Sequence, residues 1–374
     1  MRLIVYRSVM LAAAVLIGGC SGGTKIKPAE LTPIAASTDL AERWHGKVGG
    51  SDDFVFAPAI VDDSVYAAGQ DGVLTRYDNG REIWRISVGD KLSGGVGSDG
   101  RLAVVGTQKG DVYAYEAETG KLRWKTRASS EVLAAPVVDD TLVVVRSGDS
   151  RIAALDVQDG KRRWLFQRAM PTLALRTHVS VLMGETVVVA GFPGGKLVAI
   201  NKQSGAAIWE VSVALPKGAT ELERIADLSS LPVVQGRDIC AAAFQGRVAC
   251  FDITTGNMSW SRDISSSAGM DMDNKRVYVS DDKGAVHAFA RDTGASLWKQ
   301  NRLFMRALTR PLAMDGRVAV ADYQGVVHLL DAATGEFVAR AKTDGSPVRA
   351  ELQRFDGGLL VQTLAGGLYA FFVR

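Results

Sequence analysis

At 374 residues the chain is long enough for two or three domains, and with 47% apolar residues it can bury a large core. Its 44 basic and 41 acidic residues leave a net charge of +3, too balanced to mark a nucleic-acid binder. No charge run or low-complexity block is long enough to form a tail.

The N-terminus reads as a targeting segment. Arg2 and Arg7 precede an apolar run over residues 9–17 that is too short to span a bilayer, so residues 1–19 are expected as a signal peptide. Gly18-Gly19-Cys20 resembles a bacterial lipobox, which implies cleavage before Cys20 and acylation of that cysteine. Ser21 stands where an aspartate would signal inner-membrane retention, so the same resemblance implies the periplasmic side of the outer membrane. Residues 20–39, rich in Gly, Ser, Thr, Pro and Ala, are expected as a flexible lipid-anchored tether, and residues 40–374 as the folded domain.

Beyond the tether one phrase recurs. Trp84, Trp124, Trp164, Trp209, Trp260 and Trp298 each follow a glycine by four residues, as in Asp252-Ile-Thr-Thr-Gly256-Asn-Met-Ser-Trp260. The intervals are 40, 40, 45, 51 and 38 residues, the period of a β-propeller blade. Within each unit an apolar strand that contains or follows a Pro or a small residue precedes a polar turn and a Val/Ala-rich strand. A Gly-ending hairpin, an alternating strand, the Thr-Gly turn and a strand ending at Trp follow. Apolar residues never recur at helical spacing, so almost no helix is expected.

Seven units are complete. An eighth runs from Pro347 to Arg374 and stops before its Thr-Gly turn. Trp44 lies 40 residues before Trp84 without a phrase in front of it, and the strand around it supplies what the eighth unit lacks. The expected fold is all-β: an eight-bladed β-propeller with four antiparallel strands per blade, the last closed by the N-terminal strand. Closure removes the two sheet edges an open ring would expose. In the seventh unit Ala339 stands where Trp is due, and Phe337, two residues earlier, is expected to fill part of the space. The tryptophans read as structural wedges between blades.

Two intervals are long. Both extra stretches join the outermost strand of one blade to the innermost strand of the next, so they share a face, and loops on a rigid scaffold are where binding usually resides. The first includes Met170-Pro171-Thr-Leu173-Ala-Leu175-Arg176. The second includes Glu221-Leu-Glu223-Arg224-Ile-Ala-Asp227-Leu-Ser229, whose acidic groups are candidates to orient Arg176 or meet a basic partner.

The repeated Asp-x-x-Thr-Gly-x-x-x-Trp phrase resembles the pyrroloquinoline-quinone (PQQ) repeat, found in quinoprotein dehydrogenases and in non-enzymatic propellers. With the lipobox, the length and the two loops, the chain resembles the BamB family of lipoproteins. That resemblance implies a non-enzymatic subunit of the Bam complex, which inserts β-barrel proteins into the outer membrane. It implies contact with the periplasmic POTRA domains of BamA through Leu173, Leu175, Arg176 and Asp227. Ser229 stands where the family often has a second aspartate. Nascent outer membrane proteins, paired along blade edges, are a further expected partner.

A PQQ-dependent dehydrogenase is the alternative from another class, and a ligand-binding propeller a third. The resemblance to quinoprotein dehydrogenases predicts an adjacent cysteine pair; this chain has Cys20, Cys240 and Cys250, none adjacent. No cofactor, metal site or catalytic residue is expected. His287 and His328 occupy one repeat position in neighbouring blades and read as packing residues. A two-residue turn at Gln245-Gly246 would set Cys250 opposite Ala241, which argues against a Cys240–Cys250 disulfide; a one-residue slip would reverse this.

Overall fold

A computed structural model describes residues 27–374. The expected signal peptide and Cys20 lie outside the described residues. Within them the chain forms eight four-stranded antiparallel sheets and no α-helix. Blades 1–7 span residues 59–87, 97–127, 137–166, 182–212, 233–262, 269–300 and 312–342. In blade 8 the strands Gln353–Phe355, Gly358–Gln362 and Gly367–Val373 are completed by Leu40–Lys47. The closing pairing runs from Leu40 opposite Val373 to Lys47 opposite Gly367.

The second and third strands carry the core. Val, Ala, Leu and Ile dominate them because both faces pack on neighbouring blades, and the blade-to-blade clusters are buried almost throughout. The innermost strands are only two to four residues long. They surround an axial channel of about 550 Å³, which the Arg310 and Glu351 side chains meet as an ion pair at 2.8 Å.

The repeated phrase has a physical reading. The aspartate closes its own turn: Asp331 Oδ1 accepts from the Ala333 and Thr334 backbone N–H groups at 2.9 and 2.8 Å and from the Thr334 hydroxyl at 3.0 Å. The glycine then receives the tryptophan of the preceding blade. A Cβ on Gly294 would lie 2.5 Å from the Trp260 ring, and one on Gly335 2.6 Å from Trp298; both glycines also have positive φ. Each indole N–H donates into the same neighbouring turn, from Trp84 to the Ala117 carbonyl at 3.0 Å through Trp298 to the Ala332 carbonyl at 3.0 Å. Each rung therefore locks one blade to the next, and truncating such a side chain costs ~3–5 kcal/mol.

Trp44 makes the same rung against Gly80, whose Cβ would lie 2.5 Å from the ring. Its indole N–H has no acceptor. Blade 1 turns tightly through Asn79 and Gly80, both at positive φ, and lacks the longer Thr-Gly turn of the other phrases. Instead Trp44 stacks on Tyr77 and meets Phe355 edge-on, each at 5.9 Å.

The missing rung at Ala339 follows from the closure. Blade 8 has a chain break where its Thr-Gly turn would be, so a tryptophan at 339 would find neither glycine nor carbonyl. Ala339 packs in the blade 7–8 cluster that includes Leu40 and Phe371. Phe337 does not fill that space. Every complete outer strand is bulged just before the Trp position, here between the Leu329–Ala339 and Leu330–Phe337 pairs, so residues 337 and 339 face opposite ways. Phe337 packs instead toward blade 6, with Trp298.

Residues 27–39, the second half of the expected tether, run along blade 7 as a strap. Leu31 and Ile34 pack over Phe337, which is 5% exposed; Leu122, at the same position in blade 2, is 54% exposed. Arginines fasten the strap. Arg306 donates to the Ala29 carbonyl at 2.9 Å, Arg340 to the Thr32 carbonyl at 2.5 Å, and Arg302 to the Thr32 hydroxyl at 2.6 Å. Beneath them the buried Asp322 carboxylate accepts from Arg306 at 2.7 Å and from His328 Nε2 at 3.0 Å, while His328 Nδ1 accepts from Arg340 at 3.1 Å. His287 makes the equivalent bond to Asp281 at 2.8 Å, so both histidines are packing residues.

Cys240 and Cys250 are joined in a disulfide, contrary to the reading from a two-residue turn. The hairpin closes with a three-residue loop inside the Ala243–Arg247 bond. That shifts the register by one and sets Cys240 directly opposite Cys250, with Cα atoms 4.0 Å apart.

Candidate functional site

Strand alternation puts every outer-to-inner connection on one face of the ring, together with the hairpins between second and third strands. The Thr-Gly turns occupy the other face. The long connections, residues 167–181 and 213–232, lie side by side across blades 3, 4 and 5.

Asp227 joins them from below. It is 1% exposed, and its carboxylate accepts from the Leu175 N–H at 2.6 Å and from the Gly194 N–H at 2.9 Å. Its own carbonyl accepts from the Phe244 N–H at 2.9 Å. One residue thus ties the first loop, the blade 4 hairpin, the second loop and the blade 5 hairpin. It lies beneath the candidate face and orders it. The buried Arg146 lies beside this junction, its guanidinium 5.4 Å over the Phe192 ring. Burial pushes the Arg146 pKa down to about 10 and Asp227 opposes that shift, so the group is cationic at neutral pH.

Above this buried junction the face is apolar. Leu173 is 42% exposed and Met170 39%, while Leu175 is half-buried over a cavity of about 180 Å³ lined also by Leu133, Arg146 and Val179. Leu215 and Leu222 of the second loop are exposed as well. Leu222 is held outward by a single turn with a reciprocal cap: Glu223 accepts from the Ala219 and Thr220 N–H groups at 2.7 and 3.1 Å, and Thr220 Oγ1 accepts from the Glu223 N–H at 3.3 Å.

Arg176 stands at the edge, with its side chain about half exposed. The acidic loop does not orient it. Glu131, from the blade 2–3 connection, takes it in a two-pronged pair at 3.1 and 2.6 Å, and the Phe54 ring lies 5.8 Å from the guanidinium. Glu221 and Glu223 are engaged within their own loop, Glu221 with Arg224 at 3.2 Å. Ser229 donates to the Ser267 carbonyl at 3.3 Å.

The structure brings Leu173, Leu175 and Arg176 together at one surface, with Asp227 underneath. Glu131 and Arg146 were missed from sequence; nothing in their local motifs distinguishes them from other charged residues at blade ends. Leu215 and Leu222 were missed as well, although apolar residues inside a long polar connection are a signal that could have found them. Among the described residues no group of three or more His, Cys, Asp and Glu side chains is placed to hold a metal ion. The arrangement is a few exposed apolar side chains beside an oriented cation, on backbone held from beneath.

A family profile described as "Outer membrane protein assembly factor BamB" matches residues 70–300. The protein of that name from Bordetella pertussis is 42% identical over 368 residues, covering 96% of this chain and 95% of the relative. The one from Escherichia coli K12 is 35% identical over 379 residues, covering 96% and 97%. Among solved structures, the crystal structure of BamB from Moraxella catarrhalis matches with a TM-score of 0.84 at 29% identity, over 89% of this chain and 100% of that one.

Proposed function

The chain belongs to the BamB family of non-enzymatic outer membrane protein assembly factors, and from that premise we propose that it is a scaffold subunit of the Bam complex that binds the POTRA domains of BamA through residues 167–181 and 213–232. Leu173 and Leu175 supply apolar contact, and Arg176 a cation for an acidic group on the partner. Asp227 acts as a positioning residue. Acylated Cys20 holds the protein on the periplasmic side of the outer membrane, where β-barrel proteins are inserted.

The observation that carries this reading is the Asp227 junction. It fixes side by side the two longest connections between blades among the described residues, and so spares the partner the entropy of ordering them. The test is site-specific photocrosslinking from Leu173 and Arg176 in cells, with recovery of the complex measured for Arg176→Glu. Capture of BamA at both positions and weakened recovery are expected. No capture, together with recovery unchanged by charge reversal, would overturn the assignment.

A further inference from the structure

The connection between blades 6 and 7 departs from its surroundings. Leu303 and Leu308 are buried in the blade 6–7 core, but Phe304 and Met305 between them point outward, each 39% exposed. Phe304 is the one exposed phenylalanine or tryptophan among the described residues. Met305 and Ala307 both hold positive φ, +56° and +48°, a conformation that side chains disfavour. The backbone is pinned there: the Met305 N–H donates to the Lys283 carbonyl at 2.7 Å, and the Phe304 carbonyl accepts from the Ala29 N–H at 2.9 Å. A strained, fastened backbone that presents an aromatic and a methionine to solvent calls for an occupant.

That second bond decides which occupant fits. Ala29 belongs to the strap, so the chain leaves the propeller beside Phe304 and continues through Lys27 toward Cys20. Cys20 lies seven positions before Lys27, a reach of at most ~25 Å. The rim carries three exposed cations, Lys27, Lys283 and Arg302, against the carboxylates of Glu30 and Asp282. Asp282 is turned into bonds with Ser265 and with Ser267.

We propose that Phe304 and Met305, with Lys27, Lys283 and Arg302, form a membrane-contact site that seats blades 6 and 7 on an anionic phospholipid surface beside the anchor. Aromatic and methionine side chains enter the boundary between headgroups and acyl chains while lysine and arginine meet the phosphates. The site lies on the same face as the candidate partner surface, two connections further round the ring. Bilayer and partner would then meet one side of the propeller. The inference rests on the reading of Cys20 as the acylated residue.

The test uses the mature lipidated chain in vesicles of phosphatidylethanolamine and phosphatidylglycerol. A nitroxide is attached through Phe304→Cys or, on the opposite face, through Gln203→Cys. The label at 304 is expected to be shielded from a water-soluble relaxation agent and open to oxygen, and the label at 203 to remain in water. In the unlipidated Cys20→Ser chain, Phe304→Ser with Met305→Ser should weaken vesicle partitioning by roughly ten-fold. Mass spectrometry of Cys20 reads the anchor separately: an unmodified cysteine removes that premise, and the partitioning of the unlipidated chain still tests the site. An acylated chain whose label at 304 stays in water overturns the inference. So does a label that leaves water only when BamA is added, which would make the site a protein contact.

Discussion

Replacing Asp227 by asparagine separates a residue that presents itself to a partner from one that holds others in place. In the native chain its carboxylate accepts two backbone N–H bonds and offsets a buried guanidinium. Asparagine keeps the shape but turns a donor toward one of those N–H groups and removes the charge opposite Arg146. Hydrogen bonds to a charged group contribute ~1.5–3 kcal/mol each, so the loss of one with its charge amounts to ~2–3 kcal/mol. Alanine, which also breaks the second bond, should cost ~3–5 kcal/mol, as for a broken buried ion pair. The loss falls on loop opening, which amide exchange measures. At ~1.4 kcal/mol per factor of ten, Asp227→Asn should speed exchange at Leu175 and Gly194 by roughly 30- to 150-fold in the free protein, and weaken partner binding. Weaker binding with unchanged exchange at both amides would refute the positioning role and make Asp227 a direct contact.

Two other outcomes follow from buried polar groups. Trp124→Phe should be about 1 kcal/mol more destabilising than Trp44→Phe in urea unfolding, because the Trp124 indole N–H donates to the Val157 carbonyl at 3.0 Å and that of Trp44 has no acceptor; equal losses would remove the indole bond from the account of the rungs. Burial holds His328 below the ordinary 6.5, with Asp322 pulling the other way. A folded pKa below the unfolded one gives stability that is full above 6.5 and is lost as pH falls through the folded value. The urea midpoint should therefore drop between pH 7.5 and 5.5, and His328→Gln should flatten that drop; an unchanged pH profile in the variant would show that this histidine does not contribute. Asp322, whose pKa is lowered by bonds from His328 and Arg306 although burial opposes this, titrates below that window.

The blade count, the closure and the surface loops were legible because they rest on spacing. A propeller repeats one chemical solution, a glycine turn that receives an indole, and tryptophan is rare enough to mark it. What escaped depends on single contacts or single residues of register. The hairpin holding Gln245-Gly246 turns through three residues rather than two, and that one residue decides whether Cys240 and Cys250 meet. The bulge before Ala339 turns Phe337 to the other side of its strand. The strap at residues 27–39 has the composition of a linker; what holds it are arginines some 270 to 308 residues away in the chain. Asp227 was visible as part of the site, but its burial, and hence its role, was not.

The closing strand also sets an order of events. Leu40–Lys47 is among the first parts of the folded domain to be synthesised, and its partner, Gly367–Val373, is the last. While the chain emerges, the outer strand of blade 8 has nothing to pair with, and blades already formed end in an unpaired edge. Such long-range pairings form slowly, because the loop must close before any contact compensates for it. A chain lacking Gly367–Val373 would keep seven blades and lack the pairing that closes the ring. Its edge would remain open to neighbouring chains. The presence of the Gly367–Val373 strand is thus a condition for closing the ring, and the Trp44 rung forms only in molecules that meet it.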